Sequence, residues 1–223
     1  MGDVVNDDGA SLFFIRPWRT RSVGPMPIRK RHRRRAEQTG RTAAGVDGWR
    51  ILPRAVTTTR EDVDRVAAHV LERQNVVFNP DGRRLQREMP ASDPLVAKVV
   101  RALEKTGLLR GRVVGAAVGM HSLVGCAAQP LHTDYDGDQV RRAALKPLGV
   151  LLALQDGTKL ALQGGHELRL RAGDLLIFDG DLVHAGAAYP DAANTRLHLY
   201  VHVPCVRPPR NVTYLIADHA IAA

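Results

Sequence analysis

The chain has 223 residues, of which 44% are hydrophobic, and its formal net charge is +9. This length fits one domain with a tail and excludes two full domains. The two cysteines form no C-x-x-C pair, so the pattern indicates neither a zinc knuckle nor a disulfide scaffold, and no apolar stretch is long enough to cross a membrane. We therefore expect an intracellular protein, cytoplasmic or nuclear, that does not enter a membrane.

Residues 1–46 are predicted to form a flexible basic arm ahead of a domain at residues 47–223. The first 50 residues contain 11 Lys/Arg against 5 Asp/Glu, and the run Arg29–Arg35 is almost entirely basic. Such a run is typical of a segment that contacts nucleic acid or directs nuclear import. It is equally typical of a solvated tail, so both interpretations stay open.

Two helices are predicted in the region 58–107. Thr58 and Glu61 have the spacing of a capping box, which predicts a helix over 58–74. A second helix is predicted to begin at Pro94, with Asp93 as its N-cap, and to end at Gly107. Apolar residues recur at helical spacing in both, so each helix is expected to bury one face in the core.

A β-rich core is predicted for residues 111–204. Short Val/Leu/Ile runs alternate there with Gly and Asp turns, and closely spaced short strands of this kind favour an antiparallel sandwich or barrel. The predicted strands are 112–126, 148–154, 159–163, 167–171, 174–179 and 196–203.

Three residues in this core have the chemistry of a metal site. His132 and Asp134 are two positions apart, so both side chains point to the same side of an extended segment. His184 follows a distant apolar strand and a turn. Two imidazoles and one carboxylate form the facial triad of non-haem iron(II) oxygenases, which leaves coordination positions open. Taken singly, each residue is also compatible with an ordinary turn or a half-buried histidine.

The segment 196–203 alternates strictly between polar and apolar residues. Arg196, His198, Tyr200 and His202 share one face, and a polar face on a central strand is costly unless it lines a cavity. The guanidinium of Arg196 presents a planar fork that matches a carboxylate. Arg196 is therefore a candidate for binding a dicarboxylate, and His198 is a candidate second contact. Ser122 could also reach this cavity, although packing explains it equally well.

The ordered set of a His-x-Asp pair at 132–134, a distal His184 after the strand Gly173–Phe178, and an arginine twelve residues later resembles the 2-oxoglutarate- and Fe(II)-dependent dioxygenases. The resemblance covers roughly residues 110–204. The chain is similar to the phytanoyl- and prolyl-hydroxylase-like members of this family. This resemblance implies a double-stranded β-helix core (jelly-roll, cupin-like) with flanking helices.

The resemblance also implies an activity and a set of cofactors. His132, Asp134 and His184 match the iron ligands, and Arg196 matches the residue that binds the distal carboxylate of 2-oxoglutarate. The implied cofactors are Fe(II), 2-oxoglutarate and O2, with ascorbate as a reductant. The implied reaction hydroxylates a primary substrate and releases succinate and CO2.

The primary substrate stays open between a small molecule, a protein side chain and a nucleic-acid base. The basic arm favours nucleic acid, but AlkB-like demethylases typically have a second arginine six residues after the first, and His202 occupies that position here. A cupin-like module that binds metal without catalysis is a further alternative. We expect specificity to come from the loops 73–93 and 135–147, the second of which could cover the metal.

Overall fold

A computed structural model describes residues 48–72, 75–76, 81–206 and 214–215. The predicted arm 1–46, with its basic run Arg29–Arg35, lies outside the described residues. Within the described residues, no helix is long and apolar enough to pass through a lipid bilayer.

The described chain contains strands and three helices, named here in chain order. The strands are β1 (Trp49–Leu52), β2 (Asn75–Val76), β3 (Arg84–Met89), β4 (Val113–Ser122), β5 (His132–Thr133), β6 (Leu148–Ala153), β7 (Thr158–Leu162), β8 (Glu167–Leu170), β9 (Leu175–Asp179), β10 (His184–Gly186), β11 (Asn194–His202) and β12 (Tyr214–Leu215). The helices are α1 (Arg60–Glu72), α2 (Pro94–Lys105) and α3 (Gly137–Arg142).

These strands form two antiparallel sheets that pack face to face. The larger sheet has the order β1-β9-β6-β11-β4-β3-β2, and the smaller has the order β12-β5-β10-β7-β8. Leu151 and Phe178 of the larger sheet share an apolar cluster with Leu160 and Leu170 of the smaller sheet. Two packed antiparallel sheets with this crossover order form a double-stranded β-helix, which confirms the predicted fold class.

The two longer helices cover the outer face of the larger sheet. Val66 and Val70 of α1 are fully buried, and α2 buries a stripe of apolar residues in the same cluster: Leu95, Val96, Val99 and Leu103. The alternate residues of β11 that point to this side, Leu197 and Leu199, complete the cluster. The helices therefore leave the opposite face of the larger sheet, with Arg196 and His198, directed at the smaller sheet.

The N-cap of the first helix lies one position later than predicted, and the helix itself covers Arg60–Glu72 instead of 58–74. The capping box is formed by Thr59 and Asp62, not by Thr58 and Glu61. The amide of Asp62 donates to Thr59 Oγ1, and the Thr59 amide donates to Asp62 Oδ2, each at 3.2 Å. Asp62 is buried, whereas Glu61 is exposed, because Asp62 also pairs with Arg65 and Lys98. These additional partners select the later of two adjacent threonines. The second helix has its predicted N-cap, since Asp93 accepts from the Leu95 amide at 2.8 Å.

We expect Thr59→Ala to lower the free energy of unfolding by about 1 kcal/mol, the usual effect of losing an N-cap side chain. Urea denaturation followed by circular dichroism measures the change. Thr58→Ala is the matched control and should cost less, because its neighbour supplies the cap. A larger loss for Thr58→Ala would mean that the helix begins at the predicted position.

Six short strands were not predicted: β1, β2, β3, β5, β10 and β12. Of these, β1 and β3 correct the expected order of arm, helices and β core. β1 precedes the helices and pairs with β9 at one edge of the larger sheet. β3 lies between the helices and pairs with β4, so the stretch 73–93 is not simply a specificity loop. The sequence of β3 is mostly charged or polar, which hides its strand character. Pairing with β4 and burial of Leu85 and Met89 against the helices stabilise it.

The stretch 135–147 contains the short helix α3, which was also not predicted. Asp136 is its N-cap and accepts from the amides of Asp138 and Gln139. The described structure thus gives this segment an ordered turn directly after Asp134. Its role as a cover for the metal stays a prediction.

Candidate metal centre

The structure brings His132, Asp134 and His184 together between the two sheets. His132 on β5 and His184 on β10 are direct cross-strand partners, and Asp134 follows two positions after His132. One ligand atom from each residue lies within 4.8 Å of the other two, and all three side chains are buried. His184 Nε2 and Asp134 Oδ1 are 3.8 Å apart. The pairing of β5 with β10 and the i, i+2 spacing of His132 and Asp134 therefore bring three donor atoms close together.

Both imidazoles are held in the same way. His132 Nδ1 lies 2.8 Å from the Pro130 carbonyl oxygen, and His184 Nδ1 lies 2.9 Å from that of Leu182. Since a carbonyl only accepts, each Nδ1 must carry the proton, which leaves the Nε2 lone pair free. A hydrogen bond to the second ring nitrogen is the usual way in which proteins orient metal-ligating histidines.

The electrostatics of the three residues suit a cation. Burial alone disfavours the carboxylate form of Asp134, but the neighbouring His198, His184 and His132 outweigh burial and hold the pKa of Asp134 below its ordinary value. Burial lowers the pKa of His184 to about 4, although Asp134 opposes the shift. At neutral pH the site therefore presents the Asp134 carboxylate beside a neutral His184 imidazole, and these are two of the donors of a non-haem iron(II) site.

Phe178 closes one side of this centre. Its ring centroid is 4.9 Å from that of His184 and 5.9 Å from that of His198. The ring can lie there because its cross-strand neighbour is Gly149, where an added Cβ would be 2.3 Å from the Phe178 ring. The glycine thus allows a fully buried aromatic ring to exclude water from the ligands.

Arg196 lies on β11 and is 2% exposed. Its Nη1 donates to Ser122 Oγ at 3.0 Å, while its Nη2 is buried without a hydrogen-bond partner. Within the described residues no carboxylate pairs with it, and burial lowers its pKa. Its guanidinium carbon is 5.4 Å from the centre of the Tyr189 ring. A buried cation with an unused donor is suited to an incoming anion.

His198 lies two positions further along the same strand face. Its Nε2 is 3.4 Å from Asp134 Oδ2, at the edge of hydrogen-bonding distance. Its ring centroid is 4.5 Å from that of Tyr200. His198 is therefore placed beside Asp134, and within the described residues neither its Nε2 nor Asp134 Oδ2 makes a hydrogen bond. Its predicted contact with a co-substrate stays a prediction.

Arg84 lies in the stretch 73–93, which was predicted to be a specificity loop, and this prediction is wrong for Arg84. Arg84 is fully buried on β3, where its Nη1 donates to Ser122 Oγ at 3.1 Å. Phe178 and Tyr189 were also not singled out as site residues. The signal for Phe178 was its place at the end of the strand before His184, whereas the roles of Arg84 and Tyr189 depend on contacts between distant segments.

The fold and this site can be compared with known proteins. No protein-family model and no curated protein sequence matches the chain. Solved structures do match.

A viral collagen prolyl hydroxylase from Paramecium bursaria Chlorella virus-1, in complex with 2-oxoglutarate, has a TM-score of 0.54 at 10% identity, over 73% of this chain and 99% of that one. A prolyl-4-hydroxylase from Pseudomonas putida has a TM-score of 0.52 at 17% identity, over 71% and 94%. HygX from Streptomyces hygroscopicus, with nickel and 2-oxoglutarate bound, has a TM-score of 0.52 at 14% identity, over 71% and 84%.

The chain therefore has the fold of the 2-oxoglutarate- and Fe(II)-dependent oxygenases. At these identities the similarity establishes the fold alone. The assignment of a chemistry depends on the metal group and on Arg196.

Proposed function

We propose that the protein is an Fe(II)- and 2-oxoglutarate-dependent dioxygenase that hydroxylates a small molecule or a protein side chain. The observation that carries the proposal is the pairing of a buried His-Asp-His group with a buried arginine, Arg196, that has an unused donor. A metal-binding module without catalysis would have no need of this second feature.

In this proposal His132, Asp134 and His184 would hold a ferrous ion, since two imidazoles and one carboxylate are the donor set of non-haem iron(II) sites. When bound, the iron supplies the redox chemistry that couples oxidation of 2-oxoglutarate by O2 to hydroxylation of the substrate. The chain itself positions the reactants. Arg196 binds and orients the distal carboxylate of 2-oxoglutarate, His198 lies beside Asp134, and Phe178 excludes water from the ligands.

The face on which the primary substrate would lie is the inner side of β3 and β4. On β4 the half-exposed Val118 and Met120 alternate with buried neighbours and pair with His198 and Arg196 across the strands. Cross-strand partners share a face, so these apolar side chains adjoin the centre. The neighbouring strand β3 adds Gln86 and Glu88 to the same face.

This surface favours a small molecule or a peptide over a nucleic acid. Its exposed charge in the described part of β3 and β4 is the carboxylate of Glu88, which repels phosphate. HygX has also been solved with hygromycin B bound, and the two hydroxylases are named for prolyl groups, so proteins of this fold accept both kinds of substrate. A nucleic-acid role would rest on the run Arg29–Arg35, outside the described residues.

We expect the purified protein, given Fe(II), ascorbate, O2 and 2-oxoglutarate, to form succinate in excess of the protein concentration. Succinate and CO2 are formed from 2-oxoglutarate itself, and ascorbate supplies the electrons that the missing primary substrate would give, so the identity of that substrate is not needed. Succinate and CO2 are measured together, and they should appear in equal amounts.

Two controls make the result decisive. Omitting iron, or adding the inert analogue N-oxalylglycine, should stop succinate formation. If iron and 2-oxoglutarate both bind but the co-substrate is recovered unchanged, the protein is a binding module and the proposed activity is wrong.

A further inference from the structure

Arg84 is a second buried guanidinium beside the one that the proposed co-substrate site uses. It has no exposed surface, and its position on β3 places it directly across from Ser122 on β4. Its Nη1 donates to Ser122 Oγ at 3.1 Å, and Arg196 Nη1 donates to the same oxygen at 3.0 Å. One serine hydroxyl therefore lies between two arginines.

The hydrogen bonds of Arg84 reach the segments that carry the metal ligands. Its Nη2 donates to the carbonyl oxygens of Ala187 at 2.8 Å, Ala127 at 3.1 Å and Gly186 at 3.3 Å. Ala127 precedes His132 by five positions, and Gly186 and Ala187 follow His184 by two and three positions. The guanidinium approaches so closely that a Cβ at Gly186 would be 2.8 Å from Arg84 Nη1.

Arg84 has no ion pair with a carboxylate among the described residues. Burial and the nearby charge of Arg196 lower the pKa of Arg84 to about 10, so it remains a cation at neutral pH. Two buried cations on either side of one hydroxyl are unfavourable unless an anion joins them. Tyr189 lies near both, its ring centre 5.9 Å from the Arg84 guanidinium carbon, but an aromatic face offsets only part of a charge.

The two arginines also decide what Ser122 can do. A serine hydroxyl has two acceptor lone pairs and one hydrogen to donate. Two N–H groups occupy the lone pairs, so the hydrogen is left to donate, and the part of the chain that the structure describes gives it no acceptor. The unused Nη2 of Arg196 belongs to the same cluster. Arg84 Nε is a third buried donor of this cluster without a hydrogen-bond partner. The free donors of Ser122 and Arg196 suit a single carboxylate.

We propose that Arg84 is a positioning residue of the co-substrate site, which holds the Ser122 hydroxyl as a donor to the distal carboxylate of 2-oxoglutarate beside Arg196. This proposal rests on the proposed function and deepens it. Arg84 acts through Ser122 and through the added positive charge, while Ser122 and Arg196 make the contacts.

The test compares Ser122→Ala, Arg84→Met and the double variant with the wild type. Each protein is loaded with Mn(II), and 2-oxoglutarate binding is measured by isothermal titration calorimetry. We expect Ser122→Ala to weaken binding about tenfold to hundredfold, the effect of losing one hydrogen bond to a charged group. Because Arg84 acts mainly through Ser122, the double variant should lose less than the product of the two single losses.

The same titrations with 2-oxopentanoate show whether the effect belongs to the distal carboxylate. In this analogue a methyl group replaces that carboxylate, so Ser122→Ala should bind it as well as the wild type does. Arg169→Met is the matched control, since Arg169 is an exposed strand arginine whose ion pair is on the surface. It should leave both titrations unchanged.

The outcomes separate this inference from the proposed function. If the wild type binds 2-oxoglutarate but Ser122→Ala binds it equally well, the inference is wrong and the activity stands. If the loss of 2-oxoglutarate affinity in the double variant equals the product of the two single losses, Arg84 acts independently of Ser122. That result also overturns the inference. If Arg84→Met does not fold, Arg84→Lys takes its place in the same comparison, because lysine keeps the buried charge but loses the planar fork that bonds Ser122. A wild type that binds no 2-oxoglutarate refutes the proposed function itself.

Discussion

His184→Ala should abolish Fe(II) binding and succinate formation. The imidazole is one of three donors, and its Nε2 lone pair is kept free by the hydrogen bond from Nδ1 to the Leu182 carbonyl. Besides His132, the described residues place no further histidine in the group that could replace it. Loss of an outer hydrogen bond to a metal ligand costs about 10–100-fold in metal affinity or activity, so loss of the ligand itself should cost more. Iron titration and a succinate assay measure the two effects.

His166→Ala is the control for this experiment. His166 is exposed on the turn between β7 and β8, so its removal should change neither iron affinity nor turnover. Circular dichroism establishes that both variants are folded. His132→Ala should behave as His184→Ala does. Succinate release that survived in either ligand variant would show that the metal is held elsewhere.

Arg196→Ala should raise the concentration of 2-oxoglutarate needed for half-maximal succinate formation by at least about 30-fold. Removing one partner of a buried charge pair costs about 2–5 kcal/mol. Iron affinity should change little, because Arg196 does not belong to the metal group. Binding should not vanish altogether, since Ser122 and Arg84 remain beside the carboxylate.

Arg196→Lys distinguishes charge from geometry in this prediction. Lysine keeps the positive charge but loses the planar fork, so the variant should recover part of the lost affinity and no more. The measurement is the same succinate assay across a range of 2-oxoglutarate concentrations, together with an iron titration. A co-substrate requirement equal to that of the wild type in Arg196→Ala would remove Arg196 from the proposed role.

The sequence predicted the parts of the fold whose pattern is local. The strict alternation of residues 196–203 predicted which side chains of β11 face the helices and which face the centre, because a central strand is buried on both faces and each face selects its own residues. The Asp93–Pro94 pair predicted the start of α2 for a similar reason, since a cap depends on neighbours two or three positions away.

The remaining features depend on contacts between distant segments. The alternating apolar residues of β3 are only Leu85 and Met89, and the strand forms because β4 lies beside it. β5 and β10 have two and three residues, too few for any periodicity. Arg84 resembles an ordinary surface arginine in the sequence, and only the approach of Gly186 and Ser122 from other strands reveals its burial.

The candidate site shows the same division. His132, Asp134, His184 and Arg196 were selected from order and spacing. The structure brings ligand atoms of the first three within 4.8 Å of one another. It places Arg196 on β11, two positions before His198, which approaches Asp134. The contacts that hold these side chains in place could not be read from the sequence. Ser122 was considered only as a possible contact, and the pairing of His198 with Asp134 requires β11 and the segment after β5 to meet.

The two metal-facing imidazoles are each anchored by the backbone two positions earlier in their own segment. The orientation of each imidazole is consequently a local property, because it depends on a carbonyl of the same segment and not on the surrounding loops. Other connections can therefore change in sequence without altering the orientation of His132 and His184. We therefore expect substitutions of Val118 and Met120, on the proposed substrate face of β4, to change specificity while both imidazoles keep their orientation.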